Sequence, residues 1–333
     1  MKKLLLLAVV ALTIMAGCTK ANPVYKVGVG SVTTIQPRAA TAEVVGRIRV
    51  NTTFATVVLD KDGKFVSVEI DVSQQDGTFD AAGAIVAATA AKTKKEKGAE
   101  YGMKAQSKIG KEWDEQVKAL EAWMVGKTLA EVKALPLVDG YVKDGEDLKS
   151  SVTITVTDYM AAVEKAVANA VELQNVVKVG GASFTTLSGR AAVAETAGRI
   201  QANVVFSAVA IDKDGKVVKV MIDNAQNQGT FDVAGAIVAA APAGTKKEKG
   251  DAYGMKGATT IGKEWYEQMA ALETWMTGKT LTEIKAIPTY EKDATHKFVP
   301  SGDDLKSSVT ITVEDYLKSL EKAFAAAKDL AAK

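Results

Sequence analysis

Asp147-Leu-Lys-Ser-Ser-Val-Thr-Ile-Thr-Val156 returns letter for letter at Asp304–Val313. Both times a glycine and an acid precede it, Gly145-Glu146 and Gly302-Asp303, and Asp-Tyr follows, Asp158-Tyr159 and Asp315-Tyr316. A packed core accepts swaps among apolar residues of similar volume, so duplicated cores keep a pattern more readily than letters. An unchanged run rich in hydroxyl and charged side chains indicates that chemistry, and not volume alone, is held there.

Working outward from that run, Val24 to about Ala170 aligns with Val176 to about Ala327. The offset is 152 residues without a gap from Val24/Val176 to Pro136/Pro288; five extra residues then enter around Glu291–Pro300, and the offset becomes 157. Two copies of this length are expected to be tandem domains, 24–174 and 175–333, and not a solenoid array. In each copy the first half has strand periodicity. Asp60-Lys-Asp-Gly63 and Asp212–Gly215 are turn signals between two extended runs. Val66, Val68 and Ile70 alternate with polar residues, as on a strand with one buried face, whereas Phe54–Leu59 is apolar enough to be covered on both. Ala81–Ala88 is ambiguous, with a helix as one option, and Thr93–Gly98 reads as a solvated loop. The second half has helical periodicity: Ile109, Trp113, Val117, Leu120 and Met124, with Ile261, Trp265, Met269, Leu272 and Met276 in the second copy. A short helix over Thr128–Leu135 stops at Pro136. Thr155-Val-Thr-Asp158 and Thr312-Val-Glu-Asp315 have capping-box spacing before a closing helix. Strands first and helices afterwards predict an α+β fold: two tandem homologous domains, each an antiparallel sheet half followed by a helical half.

At the N-terminus, Lys2 and Lys3 precede an apolar run, Leu4–Met15, too short to span a bilayer as a helix. Met15-Ala16-Gly17-Cys18 then resembles a bacterial lipobox, and Cys18 is the only cysteine. The expectation is a lipoprotein signal peptide over 1–17, lipid (palmitate) on Cys18, a tether over 18–23, and a mature protein held at the outer face of the cell membrane. Of 42 basic residues, two lie in that leader, leaving 40 against 40 acidic ones. A near-neutral chain is not expected to bind nucleic acid, which demands a basic face. One histidine, His296, and one cysteine exclude zinc, haem and iron–sulfur sites built from imidazole or thiolate ligands.

In the duplicated run, Val152, Ile154 and Val156 alternate with Thr153, Thr155 and Thr157. This is expected to be an extended approach to the closing helix, with Thr153 and Thr310 just outside its N-terminus. Helix N-termini favour anions, so a phosphate ester on either threonine would sit in a favourable field, with Lys149 and Lys306 near enough in sequence to assist.

Asp147-Leu-Lys-Ser-Ser-Val-Thr153 resembles the flavinylation motif of bacterial FMN-binding domains, Asp-x-x-Ser-Gly-Ala-Thr. Asp147, Ser150 and Thr153 match in order and spacing, as do Asp304, Ser307 and Thr310; Ser151-Val152 and Ser308-Val309 replace Gly-Ala. With the lipobox and the duplication, the whole mature chain is similar to the PplA-like, doubly flavinylated surface lipoproteins of flavin-based extracellular electron transfer. That resemblance implies two covalent FMN groups per chain, on Thr153 and Thr310. They would be installed by a flavin transferase with FAD as donor. It also implies an electron carrier, not itself an enzyme, between a membrane quinone-linked dehydrogenase and extracellular acceptors.

Other duplicated motifs surround this one. Tyr101-Gly-Met-Lys104 and Tyr253-Gly-Met-Lys256 offer an aromatic on which a flavin ring could stack and a lysine that could stabilise a reduced anionic flavin; Tyr101 and Tyr253 fit core and cofactor roles equally. Trp113 and Trp265 fit the core better. Asp80 and Asp232 fit a helix cap better than a flavin contact. Gly257-Ala258-Thr259 mimics the end of the attachment motif but lacks the acid six residues earlier. Two rival functions are a surface lipoprotein that binds a small molecule or protein non-covalently, its leader released as a pheromone-type peptide, and a purely structural surface module.

Overall fold

Long apolar alternations build the spine of each half. In the computed structural model, which describes residues 23–330, the first half runs β1 (Tyr25–Arg38), β2 (Gly46–Leu59), β3 (Phe65–Phe79), β4 (Ile85–Ala87), α1 (Lys94–Lys97), α2 (Trp113–Met124), α3 (Leu129–Lys133), β5 (Leu137–Val138), β6 (Tyr141–Val142), α4 (Thr157–Ala168) and β7 (Val171–Leu173). The second half repeats this order as β8 (Lys178–Arg190), β9 (Gly198–Ile211), β10 (Val217–Phe231), β11 (Ile237–Ala239), α5 (Lys246–Lys249), α6 (Trp265–Met276), α7 (Leu281–Lys285), β12 (Thr289–Tyr290), β13 (Val299–Pro300), α8 (Glu314–Ala325) and β14 (Lys328–Asp329). Each half has an antiparallel sheet, ordered β4-β3-β2-β1-β7 and β11-β10-β9-β8-β14. The α+β class is as expected. Cys18 and the leader lie outside the described residues. Among those described, no helix is long and apolar enough to cross a membrane.

β2 shows why both its faces are covered. Ile48, Val50, Phe54 and Val58 enter one core, while Ala55, Val57 and Leu59 enter another with Trp113, Val117, Leu120 and Val163 from the helices. Gly28 lets α4 lie against β1: a Cβ there would fall 2.0 Å from the Ala166 carbonyl oxygen, and Gly180 meets Ala323 in the same way at 2.1 Å. Side-chain-free contact of this kind brings helix and sheet backbones together.

The other face of each sheet packs on its counterpart. Ile48, Val50, Phe54 and Phe79 share one core with Ile200, Val204, Phe206 and Phe231. The result is four layers, helices–sheet–sheet–helices, with a sheet-on-sheet centre. The contacts are reciprocal at the sequence offset, as in an isologous dimer. Phe79 stacks on Phe231 at 3.7 Å and Phe54 faces Phe206 at 6.3 Å. Ala40 N–H donates to the Gly235 carbonyl and Ala192 N–H to that of Gly83, at 2.9 and 2.8 Å. Lys165 pairs with Glu248, and Lys322 with Glu96, each at 2.5 Å.

Several local expectations are corrected. Ala81–Ala88 is a turn and the short strand β4, not a helix; the Asp80 carboxylate accepts from Ala82 and Ala84 N–H at 2.9 Å and so closes that turn instead of capping a helix. Asp232 does the same for Ala234 and Ala236. Thr93–Gly98 is not a loop: Thr93 and Glu96 form a capping box that starts α1. The capping boxes expected at Thr155 and Thr312 do not form; the N-cap positions are Val156 and Val313, with no side-chain hydrogen bond. The five-residue insertion extends the β12–β13 hairpin, where the Asp293 carboxylate accepts from Thr295 and His296 N–H.

The α1 run is anchored by a buried acid of β3. Asp71 accepts from Val72 N–H at 2.7 Å and Lys95 N–H at 3.0 Å, tying α1 to β3, and burial pushes its carboxyl up to about 6. A raised folded pKa means that the native state holds its proton longer than the unfolded chain. Asp71 therefore costs stability as pH rises from about 4 to 6, and the cost is complete above that. Asp71→Asn removes the titration, so its stability relative to wild type should rise by roughly 2–3 kcal/mol over that window. Parallel urea titrations at pH 4 and pH 7 check this; an unchanged difference between the two pH values would refute it.

Candidate functional site

Val152 and Val156 are buried in the helical core of the first half, and this pins the duplicated run to the fold. The run itself is not an extended strand. Asp147–Ser150 forms one turn of 3-10 helix, Val152 and Thr153 are irregular, and α4 begins only at Thr157, four residues beyond Thr153. Thr155 pairs with Tyr141 of the β5–β6 hairpin, and Val156 N–H donates to the Gly140 carbonyl at 2.8 Å. The field expected to act on Thr153 from the closing helix is thus displaced by about one turn.

Thr153 is instead held by a residue that sequence inspection missed. Gln116, fully buried on α2, accepts at Oε1 from both the Thr153 N–H, at 2.9 Å, and the Thr153 Oγ1 hydroxyl, at 3.2 Å. Its Nε2 donates to Ser107 Oγ at 3.2 Å and to the Lys111 carbonyl at 3.3 Å, with Met103 Sδ at 3.7 Å. In the second half, Gln268 Oε1 accepts from Thr310 N–H at 2.8 Å and Oγ1 at 3.3 Å, and its Nε2 donates to the Lys263 carbonyl at 3.2 Å. Buried amides are costly unless their groups are paired, so a glutamine amid the apolar Trp113-x-x-x-Val117 face was the available signal.

Thr153, half-buried, opens onto a cleft of about 960 Å³ whose wall includes Met103, Lys108, Tyr141, Lys143 and Lys149. The cleft therefore brings together two residues singled out from the sequence, Thr153 and Lys149. The Lys149 ammonium donates to the Val142 carbonyl at 2.8 Å and pairs with Asp144 at 3.1 Å. Lys306 is placed differently: it is exposed and pairs with Asp303. Asp147 is exposed, and Ser150 Oγ donates to its backbone carbonyl at 2.9 Å, not to its carboxylate. Asp304 accepts from the Trp275 indole N–H, and Ser307 is exposed.

The tyrosines lie elsewhere. Tyr101 is absent from the wall of the Thr153 cleft; it donates from its hydroxyl to Gln74 at 3.4 Å and meets Trp113 edge-on. Its ring face is taken by Lys94, whose Nζ is 4.9 Å from Tyr101 and 5.3 Å from Trp113. Lys246 sits over Tyr253 and Trp265 at 4.9 and 5.4 Å. Burial pushes both amines down to about 8, against the preference of aromatic faces for a cation. Trp113 and Trp265 are core residues, donating to the hydroxyls of Tyr159 and Tyr316 at 2.8 and 2.9 Å.

Lys104 and Lys256 are exposed, and the structure explains their motif through the backbone. The Glu112 carboxylate accepts from Met103 and Lys104 N–H at 2.9 and 3.0 Å, and Glu264 accepts from Met255 and Lys256 at 2.9 and 2.8 Å. Tyr-Gly-Met-Lys and the likewise duplicated Ile109-Gly-Lys-Glu-Trp113 (Ile261–Trp265 in the second half) are therefore halves of one loop clamp. Gly102, at φ 76°, makes the turn that aims those N–H groups at the acid. Thr259 belongs to the same loop and accepts from Lys263 N–H, a structural contact. Among the described residues there is no group of three or more histidine, cysteine or acidic side chains able to hold a metal.

No family model matches the chain, and no solved structure matches it. A stretch of 41 residues is 56% identical to a chlorophenol reductase of Desulfitobacterium hafniense, covering 12% of this chain and 12% of that protein. The similarity thus spans about an eighth of either chain.

Proposed function

We propose that the protein is an extracytoplasmic electron carrier, lipid-anchored through Cys18, with two tandem domains that each bear one FMN esterified to a threonine, Thr153 and Thr310. The observation that carries this is the pair of hydroxyls held alike. In each half a buried glutamine fixes the final threonine of a sequence that resembles the flavinylation motif. In the first half that hydroxyl borders a roomy cleft whose wall carries Lys108, Lys143 and Lys149 together with Asp139 and Asp144, the last paired with Lys149. The flavin supplies the redox chemistry; the chain supplies attachment and surroundings.

A covalent bond suits an exported carrier, because a dissociated cofactor would be lost outside the cell. Attachment on the FAD donor is balanced: the Oγ1–P bond forms, the pyrophosphate bond breaks, AMP leaves, and the hydroxyl proton passes to the transferase or solvent. The short likeness to a reductase covers too little of either chain to add weight. Donor and acceptor would be a membrane quinone-linked dehydrogenase and extracellular acceptors, as the resemblance implies.

The test is production by export in a host containing the flavin transferase, followed by a denaturing gel. Flavin fluorescence that survives denaturation is expected. A dark band from a host whose transferase labels its own substrates would defeat the proposal and leave non-covalent binding as the better account.

A further inference from the structure

We propose that Gln116 and Gln268 are positioning residues for the acceptor threonines, setting the direction from which the threonine oxygen attacks phosphorus. This rests on the function proposed above and adds to it a residue outside the Asp-x-x-Ser-Gly-Ala-Thr pattern.

Gln116 is fully buried on a helix whose other buried residues are Trp113, Val117, Leu120, Met124 and the ion-paired Glu121. Its orientation is fixed by its partners: the Thr153 N–H can only donate, so the atom facing it is oxygen, and the Lys111 carbonyl can only accept, so the atom facing that is nitrogen. The carbonyl oxygen of an amide has no proton to give. Thr153 Oγ1, 3.2 Å from it, is therefore the donor in that bond. The hydroxyl proton points inward, toward Gln116, and the oxygen lone pairs point away from it.

That direction matters for esterification, because the bond to phosphorus is made by a lone pair. A threonine hydroxyl otherwise samples three staggered rotamers; here the backbone N–H and the hydroxyl are tied to one atom, so the side chain is held in one of them. Such pre-orientation is the geometric contribution that raises rates of bond formation. Gln116 stays neutral and takes no proton; the proton on Oγ1 leaves to a base outside this pair as the ester forms. The Gln116 carbonyl then keeps the Thr153 N–H, so the ester-bearing residue remains anchored after its hydroxyl bond is gone.

The same arrangement recurs in the second half while its surroundings change. Gln268 holds Thr310 by the same two bonds, although Thr259 stands where Ser107 does and Lys306 is turned to Asp303. What the two halves share at this place is the glutamine–threonine pair, with the glutamine Nε2 anchored alike on a lysine carbonyl and a methionine sulfur.

The duplication supplies an internal control. Gln116→Met keeps the length and bulk of the side chain and removes the acceptor; Gln268→Met does so in the other half. Each variant, with its thermal midpoint recorded, is incubated as purified unloaded protein with the flavin transferase and FAD, and loading of the two threonine peptides is followed by mass spectrometry. Gln116→Met should slow loading of Thr153 by about tenfold or more and leave Thr310 at the wild-type rate, and Gln268→Met should do the reverse. Gln116→Glu, which restores an acceptor oxygen, should recover most of the Thr153 rate. A smaller slowing, or an equal slowing of both threonines in either variant, overturns the positioning role while leaving the attachment sites intact. Wild-type protein that loads at neither threonine overturns the proposed function itself.

Discussion

Thr153→Ala and Thr310→Ala, combined in one chain, should abolish covalent flavin altogether, and each substitution alone should leave one FMN where two are expected on the wild type. The expected loss is complete because an ester needs an oxygen, and no neighbouring hydroxyl stands in the same place. Ser150 is committed to the Asp147 carbonyl, and Thr155 belongs to the bridge with Tyr141. Ser107 is the nearest competitor, sharing Gln116 with Thr153. Removing the Thr153 hydroxyl leaves the Gln116 carbonyl with the backbone N–H of residue 153, so the cost to stability should stay near 1 kcal/mol, the usual worth of one hydrogen bond. Flavin-to-protein absorbance ratios after denaturation, with tryptic mass mapping, check the stoichiometry. Full flavin retention in the double variant would move the attachment elsewhere.

The second large effect concerns the junction of the halves. Phe79 and Phe231 are fully buried and stacked at 3.7 Å, and each ring lies against a glycine of the preceding strand: a Cβ at Gly46 would fall 2.3 Å from the Phe79 ring. Phe79→Ala should destabilise the protein by about 3–5 kcal/mol, the range for emptying a buried aromatic site. Because the ring belongs equally to both sheets, the loss should be felt by both halves in one transition. Urea unfolding followed through the tryptophans, two in each half, tests this. Two resolved transitions, with only the first half weakened, would contradict a shared core.

Much of the fold was legible because its signals are local. The Asp60–Gly63 turn, the apolar run Phe54–Leu59 and the spacing of Trp113, Val117, Leu120 and Met124 each report a period that the structure obeys. What escaped are features decided at long range. β1 runs through Gly28 and Gly30, which look like weak strand residues until α4 is seen lying on them. Thr93–Gly98 looked solvated because it is charged, yet Lys95 is partly buried between Glu69 and Glu121, and Lys94 is covered by two rings. Burial of charge depends on partners far along the chain. At the candidate site the duplication marked the run and the resemblance to the flavinylation motif marked the threonines within it, while Gln116 lies 37 residues away and announces itself only by what it bonds. Tyr101 and Lys104 were drawn toward the cofactor by their letters; the geometry gives Tyr101 to Lys94 and Gln74, and the Lys104 backbone to Glu112.

The central claim is that both threonine oxygens carry a flavin phosphate in the exported protein. The most direct measurement is intact mass of the mature chain recovered from the membrane of a host containing the transferase. The account predicts the lipidated chain plus two FMN groups, each less one water. A lipidated chain with no such additions would contradict it.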